Sequence, residues 1–287
     1  MYKSQGGPLG RIAAKLNHDR AEKVAVVRLE GAIGHGGGPG AGRGMTTTSV
    51  EPVLKRAFGT EHLRAVVIVI NSPGGSPAQS EYIAERIRQL ASEKNVPVLA
   101  FCEDIVASGG YWIACAADEI YAAHTSIVGS IGVVSSGFGF GDLLSRFGVE
   151  RRLHSAGENK VRLDAFSPEQ PDDVAWLEGL QGDLHEAFKA WVRQRRGKRL
   201  TVEDASVFSG DVWVGQKAAE VGLVDGIGVM RSVVAERYPD AEIESVDAPR
   251  PLLSRLVGDQ FEASALAEQV LTGAMSAVHR WQDVRFR

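Results

Sequence analysis

Residues 65–70, AVVIVI, form an unbroken apolar run that stops at Asn71-Ser-Pro-Gly-Gly75. A strand with one wet face alternates apolar and polar side chains, so a continuous run of this kind implies a strand covered on both faces. The Pro-Gly-Gly that ends it is a dense turn signal. Residues 24–29 (VAVVRL) and 96–101 (VPVLAF) read as companion strands. Between them, residues 47–58 and 80–94 have helical spacing, with Ile83, Ile87 and Leu90 on one face. Strands and helices alternate through residues 24–160, which predicts a mainly parallel sheet with helical crossovers. Further along, the pattern predicts a short helix over 111–117 and strands over 119–122 and 149–154. A long amphipathic helix follows over 172–195, then a glycine-rich turn region over 210–228 and a helix over 229–237.

Composition narrows the class. Lys and Arg number 32 against 36 Asp and Glu, and 44% of residues are hydrophobic, which excludes a disordered chain and a strongly basic nucleic-acid binder. Cys102 and Cys115 form no CxxC pair, so neither a disulfide framework nor a metal site is expected, and both read as reduced thiols. No apolar run is long enough for a membrane-spanning helix, and the polar leader over 1–21 is unlike a secretory signal. The expected location is therefore cytoplasmic, with peripheral membrane association left open. Residues 22–240 read as the main domain and 241–287 as a helical extension. The stretch 31–44 (GAIGHGGGPGAGRG) reads as a mobile linker, and Arg193, Arg195, Arg196, Lys198 and Arg199 as a solvated helix end.

In parallel sheets, sites form at the carboxyl ends of the strands. Two glycine turns follow apolar strands here, Asn71-Ser-Pro-Gly-Gly75 and Ala107-Ser-Gly-Gly110. Glycine lets backbone N–H groups face a ligand, so Gly74, Gly75 and Gly109 are candidate donors to a developing oxyanion. Ser108 precedes a short helix. Its ordinary role there is an N-cap, and the alternative is a nucleophile. A nucleophilic serine needs a base. His124 and His154 sit in no motif. Lys160, in Ser155-Ala-Gly-Glu-Asn-Lys160, is the other candidate, with Ser130 of Gly129-Ser-Ile-Gly132 as an orienting hydroxyl. An amine with an ordinary pKa of about 10.4 becomes a working base only when burial disfavours its charged form.

These blocks, together with Gly210-Asp-Val-Trp-Val-Gly-Gln-Lys-Ala218 and Gly222-Leu-Val-Asp225, occur in one order over residues 22–240. In that order they resemble the signal-peptide-peptidase-A family of serine–lysine peptidases. The resemblance implies a ClpP/crotonase-like spiral of β-β-α units, an α/β fold with a mainly parallel sheet, here followed by C-terminal helices. It implies Ser108 as nucleophile, Lys160 as general base and Ser130 as the group orienting the lysine. Gly75 and the N–H of Ser108 or Gly109 would form the oxyanion hole, and peptide substrate would lie extended near Gly74 and Ser76. It implies no metal or cofactor, peptide or protein substrates without nucleic acid, and homo-oligomeric rings in which neighbouring protomers share active sites. Many relatives begin with a membrane anchor, and none is expected here.

Three other readings stay open. One is an acyl-CoA hydratase or hydrolase on the same fold, with Glu81 and Glu103 near the turns. Another is a Ser-His-Asp peptidase using His124 or His154. The third is an assembly protein without activity.

Overall fold

The structure, a computed structural model, describes residues 21–34 and 44–246. Nearly all of the leader, most of the glycine-rich stretch and the helices expected from Pro249 onward lie outside the described residues. The chain runs β1 (Lys23–Glu30), α1 (Thr47–Phe58), β2 (Leu63–Ser72), α2 (Pro77–Lys94), β3 (Val98–Ala107), α3 (Gly109–Ala114), β4 (Glu119–Ala122) and β5 (Ile127–Gly129). It continues through α4 (Gly141–Arg146), α5 (Pro171–Arg196), α6 (Asp204–Val207), β6 (Val212–Val214), α7 (Gly215–Glu220), β7 (Gly226–Ile227), α8 (Met230–Arg237) and β8 (Glu242–Ser245).

The strands form one sheet in the order β6-β5-β3-β2-β1-β8, with β4 lying between β3 and β7 off this path. Every pairing is parallel except β5 with β6. The fold is thus mixed α/β with a mainly parallel sheet. The apolar run behaves as its composition requires: Val66, Ile68 and Ile70 join the core beneath α1, α2 and α3, while Ala65, Val67 and Val69 join the core beneath α8. Local signals set the helix ends. Thr46 and Ser49 cap α1 reciprocally, Pro77 opens α2, and Asn95 closes it in the left-handed region at φ 51°.

β3 departs from expectation in a way that builds the site. It continues past Phe101 through the polar pair Glu103 and Asp104 to Ala107. Between the pairs Ile70↔Cys102 and Ser72↔Val106, β2 advances two residues and β3 advances four, so β3 bulges. The Asn71 side chain closes the bulge: its Oδ1 accepts from Ile105 N–H (3.2 Å) and its Nδ2 donates to Asp104 (2.8 Å). On its far edge β3 pairs first with β4, at Leu99 to Cys102, and then with β5, at Ile105 to Ala107. The sheet forks there.

Three expectations are corrected. Residues 149–154 form no strand. Val149 and Leu153 are exposed, and Arg151 pairs with Asp164 instead of lining a sheet edge. The main domain extends beyond 240, because β8 adds to β1 and the compact unit ends at Val246. The basic run at the end of α5 is not merely solvated. Arg196 is buried, donating to Gly222 O (2.8 Å) and Asp225 (2.7 Å), and Arg195 donates to Cys115 O and Ala117 O. Asp225 also accepts from Ile120 N–H (2.7 Å), so this cluster ties the end of α5 to β4. Cys102 and Cys115 are buried free thiols, and desolvation pushes the Cys115 thiol up to about 12.

Candidate active site

Ser108 stands where β3 meets α3, at φ 52° and ψ −122°. A serine held at positive φ is strained, and such strain persists only where the surroundings impose it. The ordinary capping role is not taken, because its side chain makes no cap hydrogen bond. Its backbone is fully engaged: the N–H donates to Gly129 O (2.8 Å) and the C=O accepts from Trp112 N–H (3.0 Å). The hydroxyl of this half-buried serine is left without a hydrogen bond among the described residues. The Ser108 N–H is therefore spent on the sheet, and of the two candidates for the second oxyanion donor, Gly109 remains.

The Pro-Gly-Gly turn is pressed against this corner. A Cβ on Gly74 would stand 2.8 Å from both Ser108 Cβ and Gly109 N, so only glycine permits the approach. A Cβ on Gly109 would stand 2.3 Å from Ser80 Oγ and 3.4 Å from Gly75 N. The N–H groups of Gly75 and Gly109 thus lie close together beside Ser108, and neither donates a hydrogen bond among the described residues. The turn is fixed from behind, where Gly74 N–H donates to Ser72 Oγ (3.2 Å) and Ser80 Oγ donates to Ser76 O (2.9 Å). Both serines are buried.

Residues 31–34 are not a linker. Ile33 is buried and bridges in parallel to both Gly75 and Met45. Its N–H donates to Gly74 O (2.8 Å) and its C=O accepts from Ser76 N–H (2.9 Å). Ser76 Oγ caps α2. The backbone groups of Gly74 and Ser76 expected to receive substrate are therefore held by Ile33, and Gly75 is the residue of this turn whose N–H stays open among the described residues.

Ser130 is brought beside Ser108. Ala107 pairs with Gly129 in the parallel β3–β5 ladder, so the residues that follow them, Ser108 and Ser130, leave the sheet side by side. Ser130 likewise sits at positive φ, 52°. Lys160 is not joined to either serine within the chain. It is exposed in a turn on an arm over residues 132–170; its backbone N–H donates to Gly157 O (3.2 Å), and its amine makes no hydrogen bond or ion pair among the described residues. The arm is tied back by Phe140 N–H to Ala165 O (2.6 Å), and Arg162 pairs with Asp173 (3.1 Å) over the Trp176 ring. His124 and His154 are exposed, with no hydrogen bond among the described residues. Glu103 is paired to Arg28, and Glu81 is exposed on α2. Among the described residues no group of His, Cys, Asp and Glu could hold a metal ion, and no helix is long and apolar enough to cross a membrane.

The model of Peptidase family S49 matches residues 90–244, just over half of the chain. The chain belongs to Peptidase family S49. The Na(+)/H(+) antiporter NhaA of Brucella abortus is 47% identical over 250 residues, which are 87% of this chain and 34% of that protein. The protein slr0021 of Synechocystis sp. is 31% identical over 257 residues, 87% of this chain and 88% of its own length. The chloroplastic serine protease SPPA of Arabidopsis thaliana is 29% identical over 225 residues, covering 77% of this chain and 33% of that protein. The chain thus spans about a third of the Brucella relative it matches. The S49 match covers the Ser108, Ser130 and Lys160 blocks but starts after the Asn71–Gly75 turn. Two parts of this candidate site were missed from sequence. Ile33 lay hidden in a glycine-rich stretch with no periodicity, and β5 is too short, at three residues, to carry a period.

Proposed function

We propose that the chain is a serine endopeptidase using a Ser108–Lys160 dyad on peptide or unfolded protein segments. The observation that carries the reading is a strained, uncapped Ser108 beside the open N–H groups of Gly75 and Gly109. Lys160 in its neutral form takes the proton of the Ser108 hydroxyl as the oxygen attacks the scissile carbonyl. The carbonyl π bond opens, and its oxygen becomes an oxyanion held by the two N–H groups. The tetrahedral adduct collapses, the C–N bond breaks, and the Lys160 ammonium gives its proton to the leaving amine. Water, deprotonated by the same amine, then releases the acyl group and restores Ser108. Ser130 orients the amine.

Lys160 reaches Ser108 from a neighbouring protomer in this reading, and the arm is the element that docks. It exposes Val134 (89%), Phe138 (74%) and Phe147 (76%), a density of bare apolar surface that calls for a partner. The first half of α5 adds the exposed stripe Trp176, Leu180 and Leu184 among the acidic Asp172, Glu178 and Asp183. The arm carries basic Arg146, Arg152 and Lys160 interspersed with acidic Asp142, Glu150, Glu158 and Glu169. Two exposed apolar faces on one chain suit a head-to-tail ring. Desolvation on docking favours the neutral amine.

The test is complementation. Ser108→Ala and Lys160→Ala each fold, assemble and fail to cleave an unfolded protein. Mixing the two and reassembling restores about a quarter of wild-type activity, because an intact serine can then meet an intact neighbouring lysine. Full activity in either variant alone refutes the dyad, and no recovery on mixing refutes the shared site.

A further inference from the structure

The block Gly210-Asp-Val-Trp-Val-Gly takes no part in the mechanism above, yet it lies against the second strained serine. β6 pairs antiparallel with β5, placing Val128 opposite Trp213 and Gly129 opposite Val212. A Cβ on Gly129 would stand 2.7 Å from Trp213 Cε3, so the indole is in contact with the residue immediately before Ser130. The Ser130 N–H donates to Asp211 O (2.7 Å), and a Cβ on Gly132 would stand 3.3 Å from the Gly210 α-carbon. On the other side Gly129 O accepts from Ser108 N–H, and His185 Nε2 lies 3.1 Å from Ile131 O. Gly129 and Ser130 are consecutive residues at positive φ, 119° and 52°. Left to itself a serine avoids that region, so the clamp is what keeps it there.

We propose that Trp213 is a positioning residue. Its indole, seated on Gly129, holds the Ser130 hydroxyl at the place from which it aligns the catalytic amine. This rests on the Ser–Lys reading above. It assigns the block that pairs with Gly-Ser-Ile-Gly a task in turnover, distinct from substrate binding. The indole needs only a flat apolar ring to cover the glycine, so phenylalanine should serve in part.

The test is a double-mutant cycle on the assembled full-length protein, with cleavage of a fluorogenic peptide as readout. Trp213→Ala lowers kcat about 10- to 100-fold, the scale of a misplaced catalytic group, with KM unchanged. Trp213→Phe recovers most of the loss. Ser130→Ala lowers kcat similarly, and the double variant is no slower than Ser130→Ala alone, because the clamp acts only through that hydroxyl. Full additivity of the two losses, or a rise in KM at constant kcat, overturns the proposal. Should Trp213→Ala fail to fold, the same cycle run with Trp213→Leu decides by the same additivity. Full activity in Ser130→Ala sinks the assignment of Ser130 itself, a result distinct from failure of the clamp.

Discussion

Gly75→Ala puts the oxyanion turn under the most direct strain. Gly75 sits at φ 147°, and an added Cβ would stand 2.0 Å from Ile33 O and 2.8 Å from Ile33 N. The methyl cannot be absorbed by a side-chain rotation, because backbone is what it meets. Either the turn shifts, or the 31–34 segment lifts and loses its hydrogen bonds to Gly74 O and Ser76 N–H. Positive-φ strain costs about 1–3 kcal/mol and overpacking about 1–3 kcal/mol more, a total of about 2–6 kcal/mol. For a domain of this size that lowers Tm by about 6–18 °C. Because the displaced group is also an oxyanion donor in the proposed mechanism, kcat should fall on the order of 10²–10³-fold with a smaller change in KM. Gly31→Ala is the control. Gly31 is also left-handed, at φ 92°, but a Cβ there meets nothing within 4 Å, so it should show the strain alone and keep its kcat. The measurements are thermal unfolding and steady-state hydrolysis on both variants. Equal turnover in Gly75→Ala and Gly31→Ala would falsify the role of the Gly75 N–H.

Asn71→Ala opens the bulge in β3 and leaves Ile105 N–H without its acceptor, which costs about 1–3 kcal/mol and displaces Ser108. Chemical denaturation should report the loss, and turnover should fall by more than that loss of folded protein explains. Hydrogen bonds from Arg86 hold the Glu51 carboxyl below the usual carboxylate range, and those from Arg237 do the same for Glu119. Their stabilising contribution is complete above a pH of about 4.3 and disappears as pH falls through the depressed folded values. Wild type should therefore lose Tm more steeply than Arg86→Met on acidification from about pH 5 to pH 3; parallel curves would contradict that coupling.

The sheet was legible because a parallel strand must be apolar on both faces, a constraint written directly into residues 24–29 and 65–70. The long helix over 171–196 was legible through its spacing. β8 was not, because an edge strand such as EIES is polar on alternate positions and only four residues long. At the site, glycine clustering pointed to Gly75, Ser108 and Ser130. The clamp by Ile33 was hidden, because it acts through backbone atoms, which every residue type has. Residues 149–154 misled because their apolar positions, Val149 and Leu153, lie exposed on the arm, and a short apolar alternation looks the same in a sequence whether or not a sheet covers it.

The fork in the sheet has a consequence for robustness. Ser108 and Ser130 both follow the last rung of one ladder, Ala107–Gly129, and Ser108 N–H donates to Gly129 O across it. Drift of the surrounding helices carries both hydroxyls along as a unit, so their mutual spacing survives changes that reshape everything around them. Natural variation should accordingly accumulate in the outer layers while this rung stays in register.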